Sequence, residues 1–167
     1  MNPMREIRVE KVTLNIGCGG DLQKIERAQK LLEKLTGQKP VITKSRRRST
    51  FGIAKGKPVG VKVTLRKEKA LNFLRLVLQA VGKLKASQFD DEGNLNIGIK
   101  EYIDLPGVKY LPEIGMLGFD VAVTLERPGF RIKRRRIKKR KIPNKVKIKK
   151  EEAIKWFKEK FGVSIVE

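Results

Sequence analysis

Between Lys133 and Lys141 every residue except Ile137 is basic, inside the stretch RPGFRIKRRRIKKRKIP at residues 127–143. No other feature restricts the fold as much. Burying unpaired charge costs far more than apolar contacts return, so this run must lie outside any core. Sequence neighbours do not neutralise it: residues 127–150 hold fourteen basic side chains and no acidic one. Residues 34–89 hold fifteen basic residues against Glu68 alone, whereas residues 90–126 reverse the sign with eight acidic against two basic. The formal net charge is +22. Two blocks this dense repel themselves unless a polyanion screens them. Nucleic acid is therefore the leading partner and an anionic membrane surface the second. The membrane reading ranks last among functions, because the basic blocks do not fall on amphipathic helices.

The chain has 167 residues, the size of one domain, and at this length a globule buries roughly 70% of its unfolded surface. A single domain over 1–167 is expected, with basic loops at 44–58 and 131–145. One cysteine, Cys18, cannot form an internal disulfide and suits a reducing interior. The opening MNPMREIRVE lacks the apolar segment of a signal peptide. The apolar run around 70–81 is broken by Arg75 and too short to span a bilayer. A soluble, cytoplasmic protein is expected.

Periodicity sets the elements. In VTLNIG, Val12, Leu14 and Ile16 alternate with Thr13 and Asn15, a half-buried strand. Asp21 can cap a helix with Leu22, Ile25, Ala28, Leu32 and Leu35 on one stripe, ending at Gly37. KPVIT is a short strand, KSRRRSTFGIAKGKP a loop, and VGVKVTLR a strand with Val61, Val63 and Leu65 facing in. Residues 67–81 predict a second helix, DDEGN a turn, LNIGI and FDVAVTL further strands, and KVKIK another. EEAIKWFKEKF predicts a final helix with Ile154, Phe157 and Phe161 on one stripe and two glutamates favoured by the dipole. The expected architecture is α+β and two-layered: an antiparallel-rich sheet, helices on one face and the other face open for RNA. That open face presents Thr13, Asn15, Lys62, Thr64, Arg66 and Thr124.

Catalysis finds little support. The chain has no histidine, the commonest general base. Cys18 has no base to activate it and cannot by itself build a thiolate zinc site. GCGGD could cradle a phosphate at a helix start, but a plain tight turn explains it. GIAKGKP fails as a P-loop, with glycines too close together and Pro58 where a hydroxyl should bind magnesium. Asp90, Asp91 and Glu92 read as a solvated turn before a metal site. No enzyme and no cofactor are expected.

Among nucleic acids, folded RNA fits best. No helix-turn-helix or zinc-finger signature is present. Most aromatics fall on helix faces; Phe51, in the basic loop, either stacks on a base or ribose or anchors the loop. A polar sheet face with Arg46–Arg48 and Arg134–Arg136 in loops suits phosphates, ribose hydroxyls and RNA shape. Both loops are expected to order on RNA.

KVTLNIGCG, LTGQKPVITKSRRRS, GKPVGVKVTLR, FDDEGNLNIGIKE and LGFDVAV, in this order, resemble the family of the fifth large-subunit ribosomal protein, the 5S rRNA binder. RPGFRIKRRR is similar to its archaeal form. The resemblance covers essentially the whole chain. It implies an α+β fold that attaches 5S rRNA to the central protuberance. It also implies that Asn15, Gln38 and Thr64 belong to a polar cluster on that RNA, with Lys44, Arg46, Arg47 and Arg48 continuing the surface. Lys62 and Arg66 join them on the sheet reading. The tip from Phe51 through Lys55 to Lys57 is similar to the loop that approaches P-site tRNA.

Residues 101–118 correspond to the family's bridge to a small-subunit ribosomal protein, for which Glu101, Asp104, Tyr110 and Glu113 are the candidates. An acidic edge that only aids solubility explains them equally well. The run with Arg131, Lys133, Arg134, Arg135 and Arg136 has no bacterial counterpart and is assigned by charge to 5S or large-subunit rRNA. A free-standing RNA chaperone or regulator is the alternative function.

Overall fold

A computed structural model describes residues 2–166. Eleven elements follow in order: β1 (Arg8–Gly17), α1 (Leu22–Thr36), β2 (Val41–Lys44), β3 (Pro58–Leu65), α2 (Lys67–Val81), β4 (Lys83–Lys85), β5 (Leu95–Ile99), β6 (Phe119–Glu126), α3 (Arg131–Arg134), α4 (Lys150–Phe161) and β7 (Ser164–Val166). Five strands form one sheet in the order β2-β3-β1-β6-β5, and β4 pairs with β7 in a second. The main sheet is mostly antiparallel, so the fold is α+β as expected. The chain gathers into two compact units, Met1–Val12 with Arg66–Asn96 and Val123–Glu167, and Thr13–Leu65 with Ile97–Ala122.

Strand alternation accounts for the sheet. Val12, Leu14 and Ile16 on β1, Val61, Val63 and Leu65 on β3, Leu95, Ile97 and Ile99 on β5, and the odd residues of β6 are all buried. Intervening positions stay mostly exposed or half-buried, so each of these four strands has one apolar face, whereas β2 at the sheet edge buries none of its residues.

In the unit of Thr13–Leu65 and Ile97–Ala122, α1 packs on β3. Asp21 Oδ1 accepts from Gln23 N–H at 3.0 Å and Lys24 N–H at 3.4 Å, and Gly37 closes the helix in the left-handed region. The buried stripe is Ile25, Ala28, Leu31 and Leu32. Leu22 departs from expectation and is 63% exposed; in the first turn it lies beyond the reach of the stripe. Gly60 shows the closest strand approach. A Cβ there would lie 2.5 Å from the Ile16 carbonyl oxygen, so only glycine lets β3 sit this near β1.

In the other unit, α2 buries Ala70, Phe73, Leu74, Val77 and Leu78. An aromatic group joins Phe89, Trp156, Phe157 and Phe161, with Phe89 edge-on to Phe157 at 5.5 Å. The expected strand at KVKIK does not form. Val146 N–H donates to the Pro143 carbonyl in a turn, and Ile148 is buried against Gly93 and Ala153. Ile148 plugs a core instead of lining a ladder. β4 and β7, which periodicity did not predict, pair in parallel, Leu84 opposite Ile165.

Candidate nucleic-acid interface

The unit of Thr13–Leu65 and Ile97–Ala122 holds most of the expected RNA contacts. Cys18 N–H donates to the Val59 carbonyl at 2.9 Å. Asn15 on β1 and Lys62 on β3 belong to neighbouring strands of the sheet. Both are exposed, Thr64 is half-buried, and Gln38, just after the Gly37 cap, is half-buried. The side chains of Asn15, Gln38, Lys62 and Thr64 enter none of the hydrogen bonds or ion pairs among the described residues. Amide, hydroxyl and ammonium groups left without partners in the protein can serve an external ligand.

The basic loop beyond this face is a folded extension of the β2–β3 hairpin. Val41 pairs with Lys62 and Thr43 with Gly60, and a bulge follows at Lys44. Ser45 N–H then donates to the Lys57 carbonyl, Gly56 N–H to that of Ser45, and Ser49 N–H to that of Ile53, each at 2.9 Å. These bonds carry Lys44, Arg46, Arg47, Arg48, Lys55 and Lys57 outward, all exposed. Phe51 stands 90% exposed. It anchors nothing within the protein, which removes the loop-anchoring reading.

Residues 101–118 fold around a small core of their own. Tyr102, Leu105, Ile114 and Leu117 are buried. The Tyr102 hydroxyl accepts from Leu111 N–H at 2.8 Å. This small core holds Glu101, Asp104, Tyr110 and Glu113 on the outside, all exposed, beside Met116. The sequence reading missed Tyr102, although the pairing of a tyrosine with a loop of alternating apolar residues was there to find.

The unit of Met1–Val12, Arg66–Asn96 and Val123–Glu167 organises the other basic run. Its first turn is the short helix α3, and Arg134 Nη1 donates to Glu10 Oε1 at 2.7 Å while Nη2 donates to Glu126. Arg66 also approaches Glu10, at 3.7 Å. Arg135 Nε donates to the Lys138 carbonyl at 2.8 Å, and Arg140 N–H to that of Ile132 at 3.2 Å. The run is thus tied down by its own chain, through Glu10, remote in sequence, and Glu126, which ends the preceding strand. Arg131, Lys133, Arg135 and Arg136 remain exposed for an external anion. The free guanidinium of Arg134 expected by charge counting is already engaged by two carboxylates.

Two alternative sites are filled from within. Asp21 occupies the first amides of α1, where GCGGD was considered as a phosphate cradle. Glu92 pairs with Lys147 at 3.2 Å, and Asp90 Oδ1 accepts from Asp91 N–H. Cys18 is 5% exposed, and burial pushes its thiol above its ordinary value, away from the reactive thiolate. No helix among the described residues is long and apolar enough to cross a membrane.

An α+β chain with an unpartnered polar sheet face and exposed arginine loops belongs to the class of structured-RNA binders. Family comparison resolves the class further. Residues 2–53 match the family model described as "Ribosomal protein L5", and residues 58–158 match the model of that family's C-terminus. The chain is 53% identical to the large ribosomal subunit protein uL5 of Sulfurisphaera tokodaii, covering 100% of this chain and 96% of that one. It is 53% identical to that of Nanoarchaeum equitans and 48% identical to that of Methanosphaera stadtmanae, with 99% of each chain covered in both comparisons. The chain belongs to the ribosomal protein L5 family, in its archaeal form.

Proposed function

We propose that this chain is a structural constituent of the large ribosomal subunit that binds 5S rRNA and helps hold it in the central protuberance. The observation that carries the reading is the unengaged set of Asn15 and Lys62, exposed on β1 and β3, with half-buried Thr64 on β3 and half-buried Gln38 after α1. Amide and hydroxyl groups there recognise ribose and base edges, while Lys44, Arg46, Arg47 and Arg48 neutralise phosphates. The hairpin tip at Phe51, with Lys55 and Lys57, lies near P-site tRNA, where an exposed ring between cations suits stacking. The acidic lobe with Glu101, Asp104, Tyr110 and Glu113 meets a small-subunit protein across the subunit interface, since like charge disfavours RNA there. Arg131, Lys133, Arg135 and Arg136 lie on ribosomal RNA.

The reading is tested by competition. Purified chain bound to labelled 5S rRNA is challenged with a large excess of bulk tRNA. Retention of 5S rRNA supports a dedicated ribosomal binder; displacement in proportion to tRNA concentration means a general RNA chaperone.

A further inference from the structure

A cavity of about 680 Å³ opens beside the basic run, within the unit of Met1–Val12, Arg66–Asn96 and Val123–Glu167. Its lining is divided by chemistry. Phe130 and Ile142, both half-buried, give it its accessible apolar wall, and Leu125 and Ile148, 3% and 2% exposed, back it as core. Lys139, Arg140 and Lys141 are exposed and mark the mouth. Asn94, Thr124 and Asn144 add neutral donors and acceptors.

The walls are built by specific bonds. Arg134 fastens one side to Glu10 and Glu126, and Lys147 fastens the other to Glu92 at 3.2 Å. The Arg140–Ile132 backbone bond closes the segment between them. The volume falls in the range of about 300–1,000 Å³ that holds one small ligand. Seven basic side chains line it against two acidic ones, which repels a metal cation. An apolar interior beneath a cationic mouth, with amides between, fits a flat ring joined to a phosphate. Structured RNA supplies that group wherever a base is unstacked and turned outward.

We propose that this cavity receives one unpaired nucleotide of a structured RNA, its base against Phe130 and Ile142, close to the Leu125 and Ile148 methyls, and its phosphate at Lys139 to Lys141. The proposal rests on the RNA-binding reading above and adds a site to it.

Methyl and amide NMR of the full chain, titrated with adenosine 5′-monophosphate, tests it. The expected result is a saturable shift of the Leu125, Ile142 and Ile148 methyls together with the Lys139 and Lys141 amides, with a Kd of about 1 mM. Ribose 5-phosphate should move the amides alone. Ile142→Glu, at a half-exposed position, should keep the folded spectrum and abolish the Leu125 and Ile148 shifts. The site is overturned if the nucleotide leaves the three methyls unmoved at about tenfold that concentration, or if an oligoglutamate peptide moves them and the nucleotide does not. Unmoved methyls in a chain that still binds 5S rRNA reject the cavity site only, whereas loss of 5S rRNA binding by the unaltered chain rejects the RNA reading itself.

Discussion

Arg134 and Glu10 meet at 2.7 Å across 124 positions of sequence. Glu10 is 11% exposed and Arg134 46%, so the carboxylate is the more dependent partner. Arg134→Ala leaves it with only the longer approaches of Arg66 and Lys11. With the exposure of the pair taken into account, the expected loss is about 1 kcal/mol, read from urea unfolding. Arg136→Ala should leave stability within about 0.5 kcal/mol and reduce the salt slope of RNA binding by about 1. Equal stability effects would contradict the tether.

Gly60→Ala places a methyl group 2.5 Å from the Ile16 carbonyl oxygen. Strands β1 and β3 must separate to admit it, costing about 1–3 kcal/mol. Urea unfolding should show this as a lower midpoint, and 5S rRNA affinity should fall as the Asn15 and Lys62 strands shift.

Phe51→Ala removes a ring that is 90% exposed. Thermal unfolding should not change beyond about 0.5 kcal/mol. Any stacked RNA partner should be lost at a cost of about 1–3 kcal/mol, measured as tRNA affinity of subunits carrying the variant.

Cys18 has a folded pKa raised above its ordinary 9.0 by burial, with Lys24 opposing and Asp21 adding. The unfolded thiol therefore ionises first as pH rises. The stability linked to the protonated thiol is complete below 9.0 and is lost as pH climbs through the folded value. Between 9.0 and the folded value, unfolding free energy should fall more steeply in the natural chain than in Cys18→Ala, whose RNA binding at neutral pH should be unchanged.

Much of this molecule was legible because its signals are local. Val12-Leu14-Ile16 and Val61-Val63-Leu65 announce a one-sided sheet through alternation alone, and that alternation put Asn15 and Thr64 on the open face. Gln38 was different: it lies outside any strand, and only family resemblance selected it. Leu22 misled because helical spacing does not say how far the core extends. β4 and β7 are three residues each and pair across the chain, Lys83 with Ser164, so no local period marks them. KVKIK has the alternation of a strand but no neighbour to pair with. The Arg134 tether was invisible for a related reason. Charge counting by segment treats the basic run as unpaired, whereas one counter-ion, Glu10, arrives from β1, 124 positions away, and the other, Glu126, sits at the end of β6 just outside the run.

The most direct measurement is 5S rRNA affinity of the Asn15→Ala/Thr64→Ala chain beside its affinity for bulk tRNA, at several salt concentrations. The open-face account predicts a loss of about 2 kcal/mol for 5S rRNA, roughly 30-fold. It also predicts little change for tRNA and a salt slope near about −7 if roughly eight phosphates are neutralised. Undiminished 5S rRNA binding, or an equal loss for both RNAs, would contradict it.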